Sequence, residues 1–84
     1  MKLTVEYTKS KKGESEVTIF CDAEGLSELF TQLEILKKHK GHVHLMTPSW
    51  SGNELTEIKQ QQDSELINHV RIILKDDLPH ATGI

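Results

Sequence analysis

A run of apolar residues at helical spacing is the feature that most constrains the fold of this chain. Apolar side chains recur there every three or four positions, which predicts an amphipathic helix whose stripe faces a core. The stripe consists of Leu26, Leu29, Phe30, Leu33 and Leu36. Asp22 is suited to cap the start of the helix, and Gly41 follows a basic last turn as a left-handed C-terminal cap. We therefore predict a helix over residues 23–39.

Two segments before the helix alternate apolar and polar residues, with the period of two that is typical of half-buried strands. Their apolar faces carry Leu3, Val5 and Tyr7 in the first segment, and Val17, Ile19 and Cys21 in the second. A short polar connection containing Gly13 predicts that they form a hairpin. Cys21, the single cysteine, cannot form an internal disulfide, and we expect it to be a small core residue.

Residues 42–47 predict a third strand, with Val43, Leu45 and Thr47 on one face and His42, His44 and Met46 on the other. Pro48 should end its pairing, since proline cannot donate to a ladder. Beyond it we expect a turn at 51–53, a short returning strand at 54–59 and a polar loop at 60–63.

Residues 66–75 fit either a helix face or a strand face. The β-branched residues Val70, Ile72 and Ile73 favour a strand. Residues 76–84 contain Pro79 and Gly83 and have little to bury, so we expect a flexible tail.

The resulting order, ββαβ(β)β, predicts one α+β domain over residues 1–84. It would be a small two-layer sandwich with one helix on a mainly antiparallel sheet. In this arrangement the helix stripe contacts Val5, Ile19, Val43 and Leu45. The other sheet face would be open, with the candidates Thr4, Glu6, Thr18, Phe20, His42, His44, Met46, His69 and Arg71.

Composition excludes several classes of protein. The 84 residues carry a net charge of -3 with both signs mixed along the chain, which gives no electrostatic footprint for nucleic acid or an anionic membrane. No apolar run approaches the roughly 20 residues that span a bilayer. The N-terminal residues also lack the apolar region of a signal peptide, so we expect a cytoplasmic protein.

Three histidines suggest a metal site. His42 and His44 lie on the same side of one predicted strand, and His69 could join them from a neighbouring strand. Zinc takes three or four ligands, and acidic residues could supply a fourth. The alternative is that the histidines are polar residues on a solvated sheet face. Because no tight ligand spacing supports the metal, we expect no metal and no other cofactor.

The sequence also contains residues that could form a hydrolytic site, with Ser49 or Ser51 as nucleophile, His44 as base and Glu54 as orienting group. No nucleophile elbow and no phosphate-binding loop accompany these residues. A chain of this size also has little room for a deep pocket. We therefore predict a protein without enzymatic activity.

Residues 47–57 form an unusual segment that contains the only tryptophan, Trp50. An exposed tryptophan in a loop suits a binding anchor, and the acidic Glu54 and Glu57 would suit a basic partner surface. The alternative is that Trp50 folds back to cap the small core.

The segments HVHLMTPSWSGNELTE (42–57) and LINHVRIIL (66–74) resemble the signature of the immunity protein 32 family. These are small bacterial proteins encoded beside toxins of polymorphic toxin systems. In the family a Gly-Gly pair follows the tryptophan, whereas this chain has Ser51 and Gly52, which leaves the turn type open.

The resemblance implies binding and inhibition of a cognate protein toxin, without catalysis. The residues that fit a partner-binding surface are His42, His44, Trp50, Asn53, Glu54 and Glu57. The other classes that stay open are a metal-binding enzyme or sensor at His42, His44 and His69, and an adaptor that dimerises through a sheet edge.

Overall fold

Five strands and one helix make up residues 3–75, the part of the chain that the computed structural model describes. The strands are β1 (Leu3–Lys9), β2 (Ser15–Cys21), β3 (Gly41–Met46), β4 (Glu65–Leu66) and β5 (His69–Leu74), and the helix α1 spans Ala23–His39. A 3₁₀ turn at Pro48–Trp50 follows β3. All strand pairs are antiparallel, so the predicted α+β class is confirmed. The predicted tail at 76–84 lies outside the described residues.

The strands form two sheets instead of the single sheet predicted. β1 is central in the order β2-β1-β4, and β3 pairs with β5. The short strand predicted at 54–59 is wrong, because this stretch has no ladder. Backbone N–H groups there bond individually, as when Thr56 donates to the carbonyl of Leu3. The strand predicted within 66–75 is confirmed as β5.

The helix begins and ends at the predicted residues. The Asp22 carboxylate accepts a hydrogen bond from the Gly25 N–H at 2.8 Å, which satisfies one of the free donors of the first turn. At the other end the Lys40 N–H donates to the Leu36 carbonyl, and both Lys40 and Gly41 have positive φ. The helix is therefore followed by two residues with positive φ, whereas the sequence predicted only Gly41 in this role.

The core lies where β1, β3 and the chain after β3 meet. Leu3, Val5, Leu45 and Leu55 are buried together. Partly buried apolar side chains pack around them, namely Leu29, Ile67, Val70 and Ile72. Burial of these side chains from water is the main source of stability for such a fold.

The predicted packing of the helix stripe is largely wrong. Leu36 is buried and Leu29 packs on the core, whereas Leu26, Phe30 and Leu33 are exposed. Ile19 and Cys21 are also exposed, so neither is a core residue. The reason is that β2 is the outer strand of its sheet, while the helix lies mainly against β3.

The open sheet face was also predicted incorrectly at β1. Thr4 and Glu6 are fully buried, because residues 56–64 cross over them. The hydroxyl groups of Thr4 and Thr56 hydrogen-bond to each other, and Glu6 accepts hydrogen bonds from Gln60, Gln61 and Ser64. β1 is therefore covered on both faces.

Candidate functional site

The outer face of the β3–β5 sheet gathers most of the histidines. The strand register pairs His44 with Arg71, Met46 with His69 and His42 with Ile73. Because side chains alternate along a strand, these six project from one face, and Val43, Leu45, Val70 and Ile72 project from the other. We name the outer set the histidine face: His42, His44, Met46, His69, Arg71 and Ile73.

Three aromatic contacts connect the histidine face to the tryptophan. The rings of His42 and His44 meet edge to face at 4.8 Å, and those of His44 and His69 stack at the same centroid distance. The indole of Trp50 lies 5.7 Å from the His69 ring. Trp50 remains 54% exposed, so it rests on the rim of the histidine face without closing over the core.

His44 and His69 are joined directly, with 2.6 Å between Nδ1 of His44 and Nε2 of His69. One of these nitrogens must carry the proton and the other must accept it. Burial lowers the pKa of His44 below its ordinary value of 6.5, and the charges of His42, His69 and Arg71 act in the same direction. The geometry and the charges both favour a neutral His44.

The histidines meet without the spacing that a metal needs. Nitrogens bound to one tetrahedral zinc are about 3.3 Å apart, as follows from Zn–N distances near 2.0–2.1 Å. The nitrogens of His44 and His69 are closer and are occupied by each other. Within residues 3–75, no group of three or more His, Cys, Asp or Glu side chains is arranged to hold a metal ion.

The loop after β3 is organised by Thr47, whose importance the sequence did not reveal. Its carbonyl accepts hydrogen bonds from the N–H groups of Trp50 and Gly52. Its own N–H donates to the Asn68 carbonyl, and its hydroxyl donates to the Asn68 side chain at 2.7 Å. Thr47 is fully buried and begins residues 47–57, which we name the tryptophan loop. The start of this loop is therefore fixed to the chain just before β5.

Two acidic residues of the predicted surface hold the same loop in place. Glu54 accepts a hydrogen bond from the Met46 N–H at 3.0 Å. Glu57 accepts from the Ser49 N–H at 2.7 Å and from the Ser49 hydroxyl. Asn53 is exposed in the turn between them. These contacts tie the backbone before Trp50 to the acidic side chains that follow it.

Three residues of the hypothetical hydrolytic site are hydrogen-bonded to residues outside it. Ser49 donates to Glu57, His44 bonds to His69, and Glu54 accepts from Met46. Each of the three thus has a different partner from the one that a nucleophile–base–acid arrangement requires.

The turn after Trp50 accounts for the small residues at positions 51 and 52. Ser51 has a φ of 69°, in the left-handed region that glycine adopts most easily. A Cβ at Gly52 would lie 2.6 Å from the carbonyl oxygen of Met46, so only glycine fits there without displacement of the backbone. Position 51 is therefore constrained by its backbone conformation and position 52 by the space around it.

Glu6 is a buried carboxylate that the sequence pattern placed on an open face. It accepts hydrogen bonds from the backbone N–H groups of Gln60 and Gln61 and from the Ser64 hydroxyl at 2.6 Å. Burial acts to raise the pKa of Glu6, but the hydrogen bonds from Ser64, Gln60 and Gln61 outweigh it and hold that pKa below its ordinary value of 4.5. Glu6 therefore orders the segment that covers β1.

Comparison with known proteins identifies a family. Residues 16–70 match the family described as Immunity protein 32, and this range contains the tryptophan loop, His42, His44 and His69. No curated protein and no solved structure matches the chain significantly. Across residues 3–75, no helix is long and apolar enough to cross a membrane. Because the match spans more than half of the chain, the protein belongs to the Immunity protein 32 family.

Proposed function

We propose that this protein neutralises a cognate bacterial toxin by binding it through the histidine face and the tryptophan loop. Membership of an immunity protein family supports a toxin as the class of partner. The observation that carries the choice of surface is Trp50, which is 54% exposed and lies with its ring 5.7 Å from that of His69. A large aromatic side chain with a polar neighbour is the kind of residue that dominates the free energy of protein binding.

The tryptophan loop is suited to binding because it is ordered in advance. Thr47 and Asn68 fix its beginning. Glu54 and Glu57, which follow Trp50, accept hydrogen bonds from the backbone of Met46 and Ser49, which precede it. A loop already held in its binding conformation loses less conformational entropy when the complex forms. In this proposal Glu54 and Glu57 mainly support the loop. Their negative charges lie at the rim of the contact with the toxin.

The charge state of the histidine face favours burial against a partner. His44 is held neutral by its surroundings, so its desolvation costs less than that of an imidazolium ion. Arg71 then supplies the permanent positive charge of the face. The toxin surface that fits would present an apolar or aromatic centre with hydrogen-bonding groups, and a carboxylate opposite Arg71.

The proposed action is occlusion, without chemistry on the toxin. Ser49, His44 and Glu54 are each engaged in separate contacts, which supports a binding protein over a hydrolase. We place this action in the cytoplasm of a bacterium that carries a polymorphic toxin system.

A co-expression experiment tests the proposal. The toxin domain encoded beside the gene is induced in a sensitive host, and growth is followed with and without this chain. We expect the wild-type chain to restore growth. Trp50→Ala should weaken the purified complex by about 2 kcal/mol or more, measured by calorimetry.

Matched variants separate the proposed surface from others. Ile58→Ala removes an apolar side chain that is even more exposed than Trp50, and Phe30→Ala does so on the helix. Both should bind the toxin like the wild type. If Phe30→Ala loses binding while a folded Trp50→Ala does not, the toxin binds to the helix and the proposed surface is wrong. If Trp50→Ala unfolds the chain, Trp50 is a structural residue and the anchor hypothesis fails.

A further inference from the structure

Positive charge gathers where β3 begins and β5 ends. The ladder between these strands closes at Gly41 and Leu74, and the next residue outward on each side is a lysine, Lys40 and Lys75. Alternation along β5 continues from Arg71 through residue 73 to Lys75, so Lys75 extends the histidine face. We name Lys40, Arg71 and Lys75 the cationic end, and all three are exposed.

Two elements supply the cations of this region. The last turn of α1 contributes Lys37 and Lys38, which are expected there because cations oppose the partial negative charge of a helix C-terminus. Arg71 and Lys75 come from β5 and the residue after it, where no helix end accounts for them. Neither forms an ion pair with another residue in the described range 3–75. Within that range their charges therefore face solvent.

Nearby acidic residues do not balance these cations. Asp76 and Asp77 follow Lys75 in the sequence, outside the described residues, and Glu34 lies one turn earlier on α1. Together they set three negative charges against the five cations named above. The chain as a whole carries a net charge of -3, so this region has the opposite sign to the rest of the molecule.

The cationic end and the tryptophan loop lie at opposite ends of the histidine face. Six residues of extended chain, or about 20 Å, separate Lys75 from His69, which lies beside Trp50. Glu54 and Glu57 belong to the loop at the Trp50 end. Surface charges are screened over about 8 Å at physiological ionic strength, so the two ends act independently on a partner.

We infer that the toxin carries an acidic patch that docks on the cationic end while a separate apolar site of the toxin receives Trp50. This inference rests on the proposed function, and it adds the charge and the orientation of the partner. A toxin bound in the reverse orientation would place its acidic patch against Glu54 and Glu57. Like charges brought together in this way disfavour that arrangement.

The loop carboxylates do not argue for a basic partner as strongly as their charge suggests. Glu54 accepts a hydrogen bond from the Met46 N–H, and Glu57 accepts from the Ser49 N–H and hydroxyl. Part of their accepting capacity is therefore used within the chain. Single-stranded nucleic acid is also anionic and stacks on aromatic residues, but the family match favours a protein partner.

Association kinetics with the toxin domain encoded beside the gene test the charge of the partner. The double variant Arg71→Glu/Lys75→Glu reverses two charges of the cationic end. Lys11→Glu/Lys12→Glu is the matched control, because both lysines are exposed in the turn between β1 and β2 and the change in net charge is the same. We expect the first variant to associate at least about tenfold more slowly than the control at low salt, with little difference at high salt. Circular dichroism establishes that each variant is folded.

The outcomes separate this inference from the proposed function. A wild type that does not bind the toxin domain overturns both. If the wild type binds and the two double variants are slowed equally, toxin binding stands and the acidic patch is wrong. A poly(U) oligonucleotide serves as a probe for nucleic acid and should bind at least about a hundredfold more weakly than the toxin domain. Equal affinity would mean a general polyanion site and would overturn the inference.

Carbodiimide cross-linking of the complex tests the orientation. This reagent joins an amine to a carboxylate that it contacts, and mass spectrometry identifies the linked residues. We expect Lys40 or Lys75 to be linked to aspartate or glutamate side chains of the toxin domain. Cross-links confined to Lys11, Lys12 or Lys59, or a complex that gives none at Lys40 and Lys75, would rule the proposed orientation out.

Discussion

Nδ1 of His44 lies 2.6 Å from Nε2 of His69, so a single proton lies between these two nitrogens. Protonation of the accepting nitrogen would break the hydrogen bond and place a positive charge beside that of Arg71. The histidine face is thus most stable when His44 is neutral.

The first prediction concerns the pH dependence of stability. Because the pKa of His44 is lower in the folded chain than its ordinary 6.5, the unfolded chain binds the proton more readily. His44 therefore contributes stability above pH 6.5 that is lost as the pH falls toward its folded pKa. Thermal unfolding should show this loss in the wild type and a smaller one in His44→Gln. His39→Gln is the control, because His39 lies in the last turn of the helix and outside the histidine face. A loss in His44→Gln equal to that of the wild type would contradict the assignment.

The second prediction concerns Glu6. Its pKa is also lowered, so its contribution is present above 4.5 and disappears as the pH falls below that value, a window distinct from that of His44. Glu6→Gln should lower the unfolding temperature at pH 7 and reduce the further loss at acid pH. Hydrogen exchange should show faster exchange of the Gln60 and Gln61 amides. If both amides stay protected in the variant, the carboxylate does not order this segment.

The third prediction concerns Gly52. Gly52→Ala should cost about 3 kcal/mol, since its Cβ would overlap the backbone of Met46. Gly13→Ala is a matched control, because Gly13 has a positive φ but open space around it. It should cost about 1 kcal/mol from backbone strain alone. Urea denaturation measures both, and equal losses would mean that the loop adjusts freely at Gly52.

The fourth prediction compares two leucines. Leu55 is fully buried, whereas Leu33 is 41% exposed. Leu55→Ala should therefore cost about 2–5 kcal/mol of unfolding free energy, and Leu33→Ala less than about 1 kcal/mol. The measurement is denaturant unfolding. A larger loss at Leu33 would show that the helix packs on the core through Leu33 after all.

Local sequence patterns were sufficient where local physics decides the structure. Asp22 and the residues around Gly41 bound the helix, and β-branched residues identify β5. Alternation along two strands also placed His44 and His69 on a common face before their pairing was known.

The rest depends on contacts between distant parts of the chain. The apolar positions of β2 looked half-buried, but β2 is an outer strand and Ile19 stays exposed. Glu6 alternates like a solvated residue, yet residues 60–64 cover it. No local pattern marks Thr47 and Asn68 as partners, because only the fold brings these two polar side chains into hydrogen-bond contact. Neither the periodicity nor the composition of a sequence indicates which segment will pack across which strand.

The double coverage of β1 has a consequence for how the chain folds. Thr4, Glu6 and Val5 bond to residues more than fifty positions later, at Thr56, Gln60, Ser64 and Ile67. Contacts so far apart in sequence form slowly, because a long loop must close before they contribute. During synthesis the β1–β2 hairpin and α1 would leave the ribosome with one side of β1 still bare. The central strand is therefore completed late, and until then its uncovered side is open to aggregation.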